Sequence, residues 1–110
     1  MIERYGIYLA DLNPPRGAEI AKTRPVVVVS QNEMNRFLDT VVVCPLTTKL
    51  HARWRSRLPC RIKGRLGEIA VDQIRAISKV RLKKHIARLD AKEAAELRRL
   101  IGEMYAEPGV

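Results

Sequence analysis

Apolar and polar positions alternate loosely from Gly6 to Leu12, which predicts a first strand. It is closed by Asn13-Pro14-Pro15-Arg16-Gly17, a segment whose two prolines and glycine read as a loop. Pro25 then opens the run Val26-Val27-Val28-Val29-Ser30, and Thr40 opens Val41-Val42-Val43-Cys44-Pro45-Leu46. Both runs are β-branched and apolar on both faces, the pattern of strands in the middle of a sheet or barrel. Pro25 is tolerable because it stands at a strand start, and Pro45 predicts a bulge or edge near the strand end. Residues 31–39 are polar with one short apolar patch and suit a connection holding a helical turn. A connection that short favours an antiparallel pair.

Shorter strands are predicted at Leu58 to Ile62, Glu68 to Val71 and Val80 to Ile86, with Gly64 and Gly67 punctuating a turn. The period then changes. Ala94, Leu97, Leu100, Ile101 and Met104 share one helical face, and Lys92, Glu96, Arg99 and Glu103 the other. Asp90 stands where an N-cap belongs, Glu93 completes a capping box, and Pro108-Gly109 stops the segment. Lys92 with Glu96 and Arg99 with Glu103 add i,i+4 pairs. With no repeat, linker or low-complexity tract, residues 1–110 read as one mainly β domain, a small barrel with a C-terminal α-helix packed on it.

Charge narrows the partners. Lys and Arg number 21 against 12 Asp and Glu, a formal charge of +9, which points to a polyanion with nucleic acid first. No apolar run is long enough to span a membrane, and no targeting signal is visible, so a cytoplasmic protein without membrane attachment is expected. Cys44 and Cys60 are the only cysteines and show neither CxxC spacing nor a disulfide pattern. They read as reduced, buried thiols. With His51 and His85 widely separated, no metal site and no cofactor are expected.

An antiparallel pair brings residues equidistant from its connection side by side. Counting outward from between Asn35 and Arg36 reaches Arg24 in one direction and Thr47 in the other, so register predicts that these two are neighbours, with Glu19 opening at the same end. A guanidinium, a hydroxyl and a carboxylate make a phosphodiester-cleaving set, because RNA supplies its own nucleophile, the 2′-OH. Arg24 suits charge stabilisation at phosphorus, Thr47 a hydrogen bond to phosphate, and Glu19 the role of base. The same residues also fit duller roles: an Arg24–Glu19 surface pair, and turn capping by Thr47 and Thr48.

Four segments go further. Asp11-Leu12-Asn13-Pro14 with Gly17 and Glu19, Lys22-Thr23-Arg24-Pro25 into the valine run, Cys44-Pro45-Leu46-Thr47-Thr48, and Asp72-Gln73-Ile74-Arg75 resemble the MazF/PemK toxins in order and spacing, from about Arg4 into the terminal helix. The resemblance implies an SH3-like barrel, a homodimer and an endoribonuclease of a toxin–antitoxin module that cleaves RNA without a metal and is blocked by an acidic antitoxin. It implies Arg24 and Thr47 as the catalytic pair, with Glu19 matching a loop glutamate of some members. Ile7 and Ala18 depart from the family pattern, which implies a loop at 13–22 that holds substrate or antitoxin differently.

From Lys49 to Arg65 the chain carries Lys49, Arg53, Arg55, Arg57, Arg61, Lys63 and Arg65 with no acid among them. With Trp54 inside the run as a stacking platform and Thr48 at its start, it reads as a groove for single-stranded RNA, open also to an acidic antitoxin tail. The alternative is a solvated loop whose Trp54 packs on the barrel. Asp72-Gln73 reads as a cap on the turn into Ile74-Arg75-Ala76-Ile77, with Gln73 available to RNA. His51 and His85 read as solvated bystanders. Two competing functions stay open: a non-catalytic CcdB-like toxin acting on DNA gyrase, which has no need of the Arg24–Thr47 pair, and a barrel that binds RNA without cutting it.

Overall fold

Seven short strands curl into one antiparallel sheet in the computed structural model, which describes residues 1–14 and 16–108. They are β1 (Gly6–Asp11), β2 (Thr23–Val28), β3 (Thr40–Thr47), β4 (Arg57–Ile62), β5 (Arg65–Ala70), β6 (Arg75–Ser78) and β7 (Leu82–Arg88). Helix α1 (Asn32–Phe37) joins β2 to β3, and α2 (Ala91–Tyr105) ends the fold. Single 3-10 turns occupy Val71–Gln73 and Lys79–Arg81. The strand order is β4-β5-β3-β2-β1-β7, with β6 paired to β3.

The valine runs explain the layering. Side chains alternate across a strand, so Val27 and Val29 enter one core with Ile7, Cys44, Leu46 and Ile69, while Val26 and Val28 enter another with Tyr8, Ala10, Val41 and Val43. Helix α2 lays Ala94, Leu97 and Leu100 on the first core. Its capping box forms as expected: the Glu93 amide donates to Asp90 Oδ1 at 2.7 Å, and the Asp90 amide to Glu93 Oε1 at 3.0 Å. The sheet therefore curls as a half-barrel with α2 packed on it, in keeping with the expected barrel and C-terminal helix.

Several local expectations change. Residues 75–78, read as the continuation of a turn, form β6 against Thr40–Val43. Asp72 is not a cap: it lies inside the 3-10 turn Val71–Gln73, whose N-cap is Ala70 with no side-chain bond, and its carboxylate accepts from Ser56 and Arg57 instead. Arg99 pairs with Glu103 at 2.8 Å, whereas Lys92 and Glu96 form no ion pair among the described residues. Helix α2 stops at Tyr105, ahead of Pro108, and the Gly109 part of the expected stop lies outside the described residues.

One feature of the sheet makes the site. β3 pairs with β2 from Val43 to Pro45, then with β5 through Leu46↔Ile69 and Thr47↔Glu68. Pro45 has no amide hydrogen to donate, and the β2–β3 ladder ends at its pair with Val26. Beyond that point β2 stays with β1 (Ala10↔Arg24) while β3 goes with β5, so the two strands part.

Candidate active site

Arg24 and Thr47 stand at this parting, both half-buried. They line one cavity of about 190 Å³ together with Pro25, Leu46, Thr48, Cys60 and the β4–β5 turn. Arg24 is aimed by a bond from its Nε to the Ala21 carbonyl at 3.2 Å. Thr47 Oγ1 accepts the Lys49 amide at 3.1 Å. Lys63 and Gly64, with φ of 50° and 80°, make a two-residue turn of the kind that favours hairpins. That turn brings Lys63 and Arg65 to the cavity, so three cations meet over a floor of Pro25, Leu46, Cys60, Ile62 and Leu66.

Gly67 fits the same geometry. A Cβ built there would lie 3.0 Å from the Thr47 carbonyl oxygen, so the backbone of β5 lies close against Thr47. Cys60 faces the cavity as an inert wall: burial first, then the Glu93 carboxylate, push its thiol up to about 12. Burial, with a smaller contribution from the Asp72 charge, does the same to Cys44.

Thr47 also lines a second cavity of about 390 Å³ with Lys49, His51, Trp54, Arg57, Gln73 and residues of the 18–20 segment. Trp54 is stacked on His51, with ring centroids 3.9 Å apart and planes 8° from parallel, and the Arg57 guanidinium lies over its ring at 4.7 Å. Arg57 does not reach outward. Its side chain is 5% exposed and pairs with Asp72 at 2.8 Å and Glu68 at 3.6 Å. Burial raises the Asp72 carboxyl, but hydrogen bonds from Arg57 and Ser56, with the Arg57 charge, outweigh it and hold the group below the usual carboxylate value.

The remaining expected residues fall into distinct places. Glu19 does not line the Arg24–Thr47 cavity; it pairs with Arg75 at 3.7 Å, not with Arg24. Gln73 clamps the same loop, its Oε1 accepting the Ile20 amide at 2.7 Å and its Nε2 donating to the Ala18 carbonyl at 3.3 Å. Arg55 is exposed and bonded to Glu103 of α2. Lys49 and Arg53 are exposed and take part in no ion pair among the described residues. Sequence reading missed Glu68, whose side chain is 4% exposed beneath the basic run. Its signal was a lone acid inside the apolar stretch Gly67-Glu68-Ile69-Ala70-Val71. Among the described residues no three His, Cys, Asp or Glu side chains gather as a metal-binding group, and no helix is long and apolar enough to cross a membrane.

Comparison with known proteins decides the family. The profile of the PemK-like, MazF-like toxins of type II toxin–antitoxin systems matches residues 3–105. The chain belongs to the PemK/MazF family. Among its PemK/MazF relatives is the endoribonuclease MazF of Staphylococcus saprophyticus subsp. saprophyticus, 31% identical over 92% of this chain and 88% of the relative. Solved PemK/MazF structures share the fold at lower identity. MazF of Deinococcus radiodurans superposes with a TM-score of 0.83 at 20% identity, covering 96% of this chain and 97% of the other. A mycobacterial endoribonuclease in complex with its cognate antitoxin gives 0.82 at 19% identity, with both chains covered in full at 100%. The Mycobacterium tuberculosis toxin MazF-mt6 gives 0.78 at 21% identity, covering 94% of this chain and 99% of the other.

Proposed function

We propose that this PemK/MazF toxin is an endoribonuclease that cuts single-stranded RNA in the cavity shared by Arg24 and Thr47. The observation that carries the reading is this convergence: a planar guanidinium and a hydroxyl at one opening, with Lys63 and Arg65 beside them. A phosphodiester entering there meets the Arg24 fork at its non-bridging oxygens and the Thr47 hydroxyl at one of them. The 2′-OH of the preceding ribose attacks phosphorus, a 2′,3′-cyclic phosphate forms and the bond to the 5′ oxygen breaks. Arg24 stabilises the extra negative charge of the phosphorane, where its contribution is largest.

The described lining of this cavity includes no carboxylate or imidazole, and its one thiol is held near 12. Water takes the proton from the 2′-OH and returns one to the 5′ oxygen. Glu19, ion-paired to Arg75, anchors the loop beside the site. Thr48 lines the cavity, Lys49, Trp54 and Gln73 border the second one, and the exposed Arg53 adds a further cation for RNA. Arg55 lies outside it, paired to α2.

An acidic antitoxin is the protein partner this charge calls for, since a carboxylate-rich tail can occupy cations that otherwise meet phosphate. The protein works as a homodimer in the cytoplasm. Four of its exposed apolar residues lie near one another: Met34, Phe37 and Leu38 at α1, and Val80 beside Lys79, whose amide bonds the Asp39 carbonyl at 2.9 Å.

The test is incubation of the purified protein with single-stranded RNA in EDTA. Cleavage is expected, falling about 10²- to 10³-fold in Arg24→Ala and less in Thr47→Ala. Intact RNA with retained binding would support a non-cleaving barrel instead, and inhibition of DNA gyrase a CcdB-like toxin.

A further inference from the structure

Glu68 is a charged residue buried in the fold, its side chain as covered as that of its partner Arg57. A carboxylate taken out of water is costly unless its oxygens are bonded or paired, and Glu68 spends those bonds on a single segment. Its Oε1 accepts the His51 amide at 2.9 Å and lies 3.6 Å from Arg57 Nη1. His51 and Arg57 stand near the two ends of the 48–56 segment, and Trp54 between them stacks on one and lies under the other. Glu68, His51, Trp54 and Arg57 thus form a closed ring of contacts. The backbone of Glu68 is in turn the ladder partner of Thr47.

We infer that Glu68 is a positioning residue for the RNA-cleaving site, tethering the 48–56 segment so that the Thr47 hydroxyl is held in its working orientation. The inference rests on the ribonuclease reading above. Its route is short. Two residues before His51, the Lys49 amide donates to Thr47 Oγ1 at 3.1 Å. That bond occupies a lone pair of the hydroxyl, leaving its proton as the free end to donate to a phosphate oxygen. A loosened segment lets the Lys49 amide drift, and the hydroxyl then turns without guidance. Arg24, Lys63 and Arg65 lie in the other cavity and are untouched, and Lys49 and Arg53 are exposed and keep their charge when the segment loosens. The loss therefore falls on turnover more than on binding.

Two variants test it. Glu68→Gln keeps an acceptor for the His51 amide but loses the charge that holds Arg57, so the tether is weakened while Asp72 still neutralises the guanidinium and the variant folds; Glu68→Leu removes the tether altogether. Trp54 is the sole tryptophan, so its emission in the RNA-free protein reports the segment directly. Steady-state cleavage of a short oligoribonucleotide in EDTA, read beside the melting curve, separates kcat from KM. Expected are a shifted Trp54 emission in both variants, a kcat lowered about 10-fold in Glu68→Gln and about 10²-fold in Glu68→Leu, and a KM within about twofold of the parent. If Glu68→Leu does not fold, Glu68→Gln decides alone. Unchanged kcat in a folded variant, whatever the melting temperature does, overturns the inference and leaves the ribonuclease reading standing. A parent protein that cuts no RNA removes both.

Discussion

Arg24 and Thr47 occupy the register positions two steps beyond the last β2–β3 pair, Val26↔Pro45, yet each is bonded to a different neighbour: Arg24 is paired with Ala10 and Thr47 with Glu68. Continuous pairing would have filled the space between them with backbone hydrogen bonds. Because the strands separate there, the space is a cavity lined by both side chains.

Gly67→Ala checks how closely β5 must approach Thr47. The added methyl meets the Thr47 carbonyl at 3.0 Å, backbone that can move only by shifting the hydroxyl with it. Cleavage should fall about 10-fold, with a stability loss of about 1–3 kcal/mol. Wild-type turnover in this variant, measured with its urea midpoint, would show that the approach does not matter.

Salt dependence sorts the basic run by what each cation touches. Binding of an oligonucleotide blocked by a 2′-deoxy group at the scissile position, followed by anisotropy from 50 to 200 mM salt (about the range over which such contacts fade), gives the slope. Lys49→Ala, Arg53→Ala and Lys63→Ala should each flatten it by about 0.7. Arg57→Ala should leave the slope alone, because that guanidinium is engaged by Glu68 and Asp72. A slope lowered as much by Arg57→Ala as by the others would reassign Arg57 to the RNA.

The homodimer is probed at the apolar end of α1. Phe37 is 73% and Val80 78% exposed, so replacing either by Asp disturbs no core. Light scattering over a dilution series should then show dimer dissociation raised about 10-fold or more. Unaltered mass at every concentration would move the interface elsewhere.

Both thiols should resist alkylation in the native protein at pH 8, since burial pushes Cys44 and Cys60 up to about 12. Unfolded thiols titrate near 9.0, so the native state loses stability as pH rises from 9.0 toward about 12 and keeps this contribution in full below that window. Mass spectrometry after iodoacetamide, with and without urea, reads the first point. Rapid labelling of folded protein at pH 8 would contradict it.

How far the sequence could be read depended on the length of the signal. The two valine runs and the capping box at Asp90 and Glu93 are long or doubly specified, and they form where expected. The register of Arg24 with Thr47 was legible because the β2–β3 ladder runs without a bulge through Val28↔Val43, Val27↔Cys44 and Val26↔Pro45. β6 was not, because four residues with only Ile77 fully buried carry too little pattern. Arg57 misled for a different reason. Its partner Glu68 stands diagonally across the β4–β5 hairpin, beside Pro59, and a basic run read along the chain hides a cross-strand acid.

The parting of β2 and β3 also has a mechanical meaning. The guanidinium rides with β1 and the hydroxyl with β5, so their spacing is set by two different ladders and not by bonds between the two strands that carry them.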